Sequence, residues 1–294
     1  MPALADDERL RRLLRLALEE DVGSGDITTR LTIPEGTRAR GRIVAREDMI
    51  VAGMILFAPL REELAAMGEP GRGAASLILS ETVADGASVK GGACLCVLDG
   101  EAAGILTIER TFLNFLGRLS GIATETARVV RLVRDAGCST RILDTRKTTP
   151  GHRALEKYAV ACGGGSNHRM GLFDAVLIKD NHVVAAGGIE RAVRAALAGA
   201  PSGMDVEAEC DTIDQVRIAL DSGAKAVLLD NFTPARVAEA VALIAGRARI
   251  EVSGGVTLDT VADYAKAGPD EISLGRLTHS ASSADVSMEV TLLV

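Results

Sequence analysis

Leucines at positions 10, 13, 14 and 18 recur at three- and four-residue spacing between arginines and predict an amphipathic helix over residues 6–20. DVGSGDITT (21–29), dense in Gly, Ser and Asp, reads as a loop. RARGRIVAR (38–46) alternates small or apolar with basic residues, the period of a half-buried strand. A further helix is predicted over 55–67. Short strands over 77–83 and 93–97 flank the turn-rich DGASVKGG (85–92). This first part of the chain is a mixed α and β unit with few groups suited to catalysis.

The texture changes near Glu101. Residues 101–136 carry long helical patterns, and beyond Thr140 strand and helix alternate. Strands are predicted over Thr140–Leu143, Ala175–Ile178, Asp205–Glu209, Ala226–Leu229, Arg249–Val252 and Glu271–Leu274. Amphipathic helices such as 189–197, 213–220, 234–245 and 258–267 lie between them. Such alternation builds parallel βαβ units. The last four strands begin about 21–23 residues apart, the repeat of an α/β barrel. An open doubly wound sheet gives a similar spacing. The barrel is preferred because of where the polar residues fall.

Each predicted strand turns polar at its C-terminal end. Asp144, Thr145, Arg146 and Lys147 follow the first, and Lys179 to His182 follow the second. Glu209 ends the third, and Asp230 and Asn231 follow the fourth. Ser253, Gly254 and Gly255 follow the fifth, and Gly275, Thr278 and His279 follow the sixth. Barrel sites are built at this rim from the ends of several strands. Arg141 to His182 holds seven Lys or Arg against four acids, and three of the four histidines, so a substrate with several negative charges is expected there. Arg146 and Arg169 suit bidentate grips on carboxylates. Glu209 and Asp230 suit Mg²⁺ ligation alongside phosphates, with a general acid and base as the alternative. The glycines after the last two strands can offer backbone N–H groups to a phosphate. Gly163 to Gly165 form a tight loop that delivers His168 and Arg169.

Composition narrows the function classes. The 294 residues suggest about two domains. Lys plus Arg is 33 against 40 Asp plus Glu, net −7, which argues against a basic nucleic-acid surface. Aromatics are 2%, too few for base-stacking platforms. No apolar run approaches the roughly 20 residues of a membrane helix. The start, MPALADDERLRRLL, lacks the apolar stretch of a secretory signal. Five irregularly spaced cysteines do not make a disulfide framework, so a reducing cytoplasm is the expected compartment.

Several segments together resemble the quinolinate phosphoribosyltransferase family, also called nicotinate-nucleotide pyrophosphorylase (carboxylating). They are GDITT (25–29), ERTFLNFLGRLSGIAT (109–124), DTRKTTPG (144–151), KYAVACGGGSNHRMGL (157–172), LIKDNH (177–182), VEAEC (206–210), LLDN (228–231), EVSGG (251–255) and ISLGRLTHS (272–280). The resemblance implies an N-terminal α/β sandwich domain over 1–112 and an incomplete, seven-stranded α/β barrel over 113–280. Residues 281–294 would pack back on the first domain. It also implies a homodimer, with assembly beyond the dimer left open, in which Arg110 reaches the neighbouring site. The implied reaction joins quinolinate to 5-phosphoribosyl-1-pyrophosphate, giving nicotinate mononucleotide, pyrophosphate and CO₂ for NAD biosynthesis.

On this resemblance the substrate-binding set is Arg110, Thr145, Arg146, His168, Arg169 and Lys179, with Ser253, Gly254, Gly255, Gly275 and His279 at the 5′-phosphate. Lys147, Lys179, Glu209 and Asp230 are the catalytic set, the two carboxylates holding Mg²⁺. His152 stands where the family usually has Leu and bears on acceptor choice. The rival readings are a related pyrophosphorylase with another acceptor, a barrel aldolase using Lys179 as a Schiff base, and a non-catalytic sensor on the same scaffold.

Overall fold

The computed structural model describes residues 7–293; the first residue of the helix predicted over 6–20 lies outside them. In chain order the first elements are α1 (Glu8–Val22), α2 (Ile27–Thr32), β1 (Arg38–Ala45), β2 (Met49–Ile50), α3 (Phe57–Ala66), β3 (Ile78–Ser80), β4 (Ser88–Val89), β5 (Cys94–Glu101), α4 (Ala102–Asp135), β6 (Arg141–Leu143) and α5 (Arg153–Cys162). Then follow β7 (Val176–Ile178), α6 (Asp180–Ala186), α7 (Ile189–Gly199), β8 (Val206–Cys210), α8 (Ile213–Asp221), β9 (Ala226–Asp230) and α9 (Pro234–Ile244). The last are β10 (Arg249–Ser253), α10 (Val261–Lys266), β11 (Glu271–Ser273), α11 (Arg276–His279) and β12 (Val286–Leu292).

The chain forms two compact units. One holds the residues up to Glu125, Pro150–Gly163 and the stretch from Ala281; the other holds Thr126–Thr149 and Gly164–Ser280. In the first unit, α1 buries Leu10, Leu14, Leu18 and Val22, one face at four-residue spacing. Asp7 caps its start by accepting the Arg9 N–H, and Gly23 at φ 52° ends it. The segment predicted as a loop over 21–29 stops short: the Asp26 carboxylate accepts the Thr29 N–H at 3.0 Å and starts α2. A four-stranded sheet runs β12-β1-β5-β3, and β12 pairs antiparallel with β1, Ala39 facing Leu292 and Ala45 facing Val286.

The second unit is built on a parallel sheet in the order β6-β11-β10-β9-β8-β7. A parallel bridge between Leu143 and Ser166 sets the Ser166 segment beside β6, so among the described residues the sheet has six strands where seven are expected. All six predicted barrel strands are present. Register assigns the two faces. Glu207 pairs with Ala226 and Ala226 with Arg249; Glu209 pairs with Leu228, Leu228 with Glu251, and Glu251 with Glu271. Paired neighbours in a parallel sheet face the same side, and the side chain alternates along each strand. One face therefore carries Glu207, Glu209, Asp230, Arg249, Glu251, Ser253, Glu271 and Arg141. The other carries Ala208, Cys210, Val227, Leu229, Ile250, Val252, Ile272 and Ile142, all buried. This apolar face supplies the unit's core, at roughly 1.5–3 kcal/mol for each large side chain removed from water. The polar face positions the site.

Candidate active site

All the predicted site residues except Arg110 belong to the second unit. Arg110 is exposed on α4 in the first unit. His152 also lies in the first unit, where its ring stacks on Phe115 at 6.1 Å between centroids.

The loop after β6 is shaped by its own side chains. The Thr145 hydroxyl accepts the Lys147 N–H at 3.0 Å. Thr278, fully buried, donates its hydroxyl to the Lys147 carbonyl at 2.7 Å. A Cβ at Gly275 would come within 2.9 Å of the Lys147 side chain and 3.2 Å of the His279 ring, so only glycine lets all three meet. The strand end at Gly254 is equally crowded. It takes φ 86°, and a Cβ there would collide with the Asn231 amide. Asn231 is left-handed at φ 56°, donates its backbone N–H to the Ser253 carbonyl at 2.9 Å, and donates its side-chain amide to the Asp230 carboxylate at 2.6 Å. Gly255, exposed with open space around it, completes this turn.

Lys179 and Glu209 meet across neighbouring strands, Nζ to Oε2 at 2.9 Å. Lys179 is held at its backbone by His182, whose Nδ1 accepts the Lys179 N–H at 2.9 Å. Burial, and then the charges of Glu209 and Asp211, push the Asp230 carboxyl above its ordinary value; Lys179 and Lys147 pull it back. Two carboxylates that repel each other beside a rim of lysines are a suitable oxygen donor pair for a hard divalent cation shared with phosphates.

Arg146 and Arg169 are the cationic counterpart. Burial, and then the Arg146 charge, lower the Arg169 guanidinium from its ordinary value. The Arg169 Nε is buried and meets no hydrogen-bond partner among the described residues, while its Nη1 donates to the Ala175 carbonyl at 3.0 Å. Two half-buried guanidinium groups close enough for one charge to depress the other suit an anionic ligand.

Beneath the rim His168 and Asp144 lie with residues that sequence reasoning passed over, the buried Glu207, Glu251 and Glu271 and the half-buried Arg249. Asp144, fully buried, accepts the His168 N–H at 2.9 Å and the Asn167 amide at 2.8 Å. The His168 Nε2 lies 3.6 Å from Glu207 and 3.4 Å from Glu251. Burial alone depresses the His168 imidazole, but the two glutamates outweigh it and raise its pKa to about 9. Burial raises the Glu207 and Glu271 carboxyls. Arg249 lies within 3.8 Å of Glu207 and 3.3 Å of Glu271, and Arg141 also pairs with Glu271. These groups line a cavity of about 200 Å³ that Asn167, Arg169 and Val176 share. The signal was present: VEAEC puts two glutamates at two-residue spacing on one face of a strand.

The chain as a whole is similar to proteins of one family. The model of the quinolinate phosphoribosyl transferase N-terminal domain matches residues 26–120, and that of the C-terminal domain matches 122–289. A probable carboxylating nicotinate-nucleotide pyrophosphorylase of Bacillus subtilis is 40% identical over 97% of this chain and 94% of its own length. The carboxylating nicotinate-nucleotide pyrophosphorylase of Mycobacterium leprae is 41% identical, covering 95% of this chain and 96% of its own. The solved structure of the Francisella tularensis nicotinate-nucleotide pyrophosphorylase superposes with a TM-score of 0.87 at 37% identity, over 99% of this chain and 98% of that one. With both domain models matched in order along nearly its whole length, the chain belongs to the quinolinate phosphoribosyltransferase family.

Proposed function

We propose that this chain transfers the phosphoribosyl group of 5-phosphoribosyl-1-pyrophosphate to quinolinate with decarboxylation, giving nicotinate mononucleotide, pyrophosphate and CO₂ in NAD biosynthesis. The observation that carries the reading is the set of cations at the strand ends, with Lys179 paired to Glu209 at 2.9 Å and Arg169 depressed by burial and then by the charge of Arg146. A planar dianion such as quinolinate relieves the repulsion between the two guanidiniums, and each can meet a carboxylate with a two-pronged grip. Lys179 and His168 lie with this acceptor end. Lys147, Ser253, Gly254, Gly255, Gly275 and His279 form the phosphate end, where backbone turns and cations face the diphosphate and the 5′-phosphate.

The chemistry needs no protein nucleophile. Pyrophosphate departs from the ribose C1 as positive charge develops on the sugar, and Lys147 stabilises the leaving group electrostatically. Holding both substrates in line contributes up to about 7–11 kcal/mol of proximity in favourable cases. The quinolinate nitrogen attacks C1 and becomes a pyridinium. Loss of the adjacent carboxylate as CO₂ then leaves a carbanion that the ring N⁺ stabilises until it takes a proton. Glu209 and Asp230 would hold Mg²⁺, which when bound neutralises the diphosphate charge. Their carboxylates also face the ribose hydroxyls.

Two further parts belong to this proposal. The chain works as a homodimer in which Arg110, exposed on α4, adds a cation to the neighbouring acceptor site. It works in a reducing cytoplasm, in keeping with five cysteines that are all free thiols. No helix among the described residues is long and apolar enough to cross a membrane. The Schiff-base alternative needs a desolvated amine. Lys179 is instead about half exposed, at 46%, and paired to a carboxylate.

The test is an assay of the purified protein with quinolinate and 5-phosphoribosyl-1-pyrophosphate, with and without Mg²⁺, following CO₂ and pyrophosphate. Release of both in equal amounts is expected, and nicotinate as acceptor releases no CO₂. No CO₂ from quinolinate overturns the reading. An activity indifferent to chelator removes Mg²⁺ from it, and sedimentation as a monomer at assay concentration removes the role of Arg110 in a neighbouring site.

A further inference from the structure

Lys179 lies just beyond the ladder of β7, whose last pair is Ile178 with Ala208, and just before α6. Its backbone is extended, at φ −104° and ψ 168°, and both of its backbone groups are taken up by the first turn of that helix. The carbonyl accepts the Val183 N–H at 2.9 Å, the ordinary opening bond of a helix. The N–H goes instead to a side chain, His182 Nδ1, at 2.9 Å. His182 is the third residue of α6, the position from which a side-chain acceptor reaches back to the residue that starts the helix. None of the side chains of α6 is buried, so core packing contributes little to fixing this turn. The imidazole ties the turn to the end of β7.

The far end of Lys179 is held more loosely. Its Nζ lies 2.9 Å from Glu209 Oε2, in a pair that leaves the lysine half-exposed. When Nζ turns to a carboxylate of the anionic acceptor it gives up Glu209. The aim of a flexible four-carbon stem is then set by the backbone at its base. That base is what His182 holds.

We infer that His182 is a positioning residue for the transfer reaction: by accepting the Lys179 N–H, its ring fixes the backbone from which Lys179 reaches the acceptor. This rests on the proposed function, in which Lys179 serves the acceptor. It gives the fourth residue of KDNH (179–182) a task that it performs through the first.

The test separates an acceptor at this position from the bulk of the ring. H182L removes the acceptor and keeps much of the volume. H182Q offers a neutral side-chain oxygen from the same helix position. Both are assayed with quinolinate and 5-phosphoribosyl-1-pyrophosphate beside the wild type, with a thermal melt of each. H182L is expected to lower kcat/KM for quinolinate roughly threefold to tenfold, with KM for 5-phosphoribosyl-1-pyrophosphate and the melting temperature near their wild-type values. H182Q is expected to restore kcat/KM to within about twofold of wild type. In the K179A background, H182L and H182Q are expected to have the same kcat/KM. An H182L that turns over quinolinate like the wild type, an H182Q as poor as H182L, or an undiminished H182L effect in the K179A background overturns the inference. A loss shared equally by both KM values, or carried by the melt, assigns the ring to the fold and overturns it as well. A wild-type protein that releases no CO₂ from quinolinate sinks the proposed function and this inference with it. Normal wild-type turnover with an indifferent H182L sinks the inference alone.

Discussion

Glu207 and Glu209 are two residues apart on β8 and face the same side of the sheet. Glu209 reaches the rim, where it meets the half-exposed Lys179 at 2.9 Å. Glu207 stays below, 3% exposed, against His168 and Arg249. The difference separates two uses of charge. At the rim, ions keep contact with water and can exchange partners for substrates, so their loss is felt in catalysis. In the interior, ions are committed to each other, and their loss is felt in stability and alignment. The largest expected effect tests the first half. Lys179→Ala is expected to lower kcat/KM for quinolinate by about 10³-fold, about 4 kcal/mol of transition-state stabilisation. Its melting temperature should move little, because exposed ion pairs contribute only about 0–1 kcal/mol. Steady-state kinetics beside a thermal melt would break the comparison if turnover stayed near normal while stability fell.

The converse holds for Arg249, which lies near Asp205, Glu207 and Glu271. Arg249→Met keeps the volume of the stem and strands buried carboxylates without their cation. A loss of about 3 kcal/mol in unfolding free energy at neutral pH is expected, toward the low end for a broken buried pair because Arg249 is partly exposed. The sign with pH is fixed. Glu207 and Glu271 already have raised pKa values from burial, and removing Arg249 raises them further. A carboxyl with a raised folded pKa costs stability while it is ionised, so the deficit should shrink as pH falls and the acids take up protons. Denaturant unfolding across pH checks it; a deficit that grows toward acid would refute the picture of stranded carboxylates.

His168 sharpens the comparison from the other sign of charge. Its pKa is raised from the ordinary 6.5 to about 9 once the glutamates outweigh burial. Stability from this source is fully present below about 6.5 and is lost as pH rises through about 9. His168→Asn removes that contribution. The wild-type advantage in unfolding free energy is expected to be largest near pH 6, up to about 3 kcal/mol, and to fade by about pH 9.5. An advantage constant across that range would mean that the ring contributes packing alone.

Much of this architecture was legible. The six barrel strands are short apolar runs bounded by polar residues, and that boundary marked both the fold and the rim residues Lys147, Lys179, Glu209 and Asp230. Three features were not legible, each for a physical reason. Strand β12 has its side chains mostly half-buried or exposed, so no strong alternation marks it; it exists because β1 pairs with it. Helix α2 hides within a Gly- and Ser-rich stretch because one carboxylate, Asp26, starts it. The interior acids give no local sign of their use, because the histidine and arginines that make them tolerable are far along the chain. A buried ion's partner is a property of the folded sheet and not of its neighbours in sequence.

The smallest effect tests how far the rim itself depends on buried support. Thr278 is fully buried, and its hydroxyl donates to the Lys147 carbonyl at 2.7 Å. Thr278→Val keeps the shape and removes that hydrogen bond, leaving a carbonyl short of a donor, at a cost of about 1 kcal/mol. If the bond serves only the fold, the whole cost appears in the melt. If it also aims Lys147, the Michaelis constant for 5-phosphoribosyl-1-pyrophosphate rises by roughly twofold to fivefold while that for quinolinate holds. The second outcome is expected, since the Lys147 side chain packs close over Gly275 beside the His279 ring, so its aim follows its backbone. Equal Michaelis constants in variant and wild type would assign Thr278 to the fold and leave Lys147 aimed by Thr145 alone.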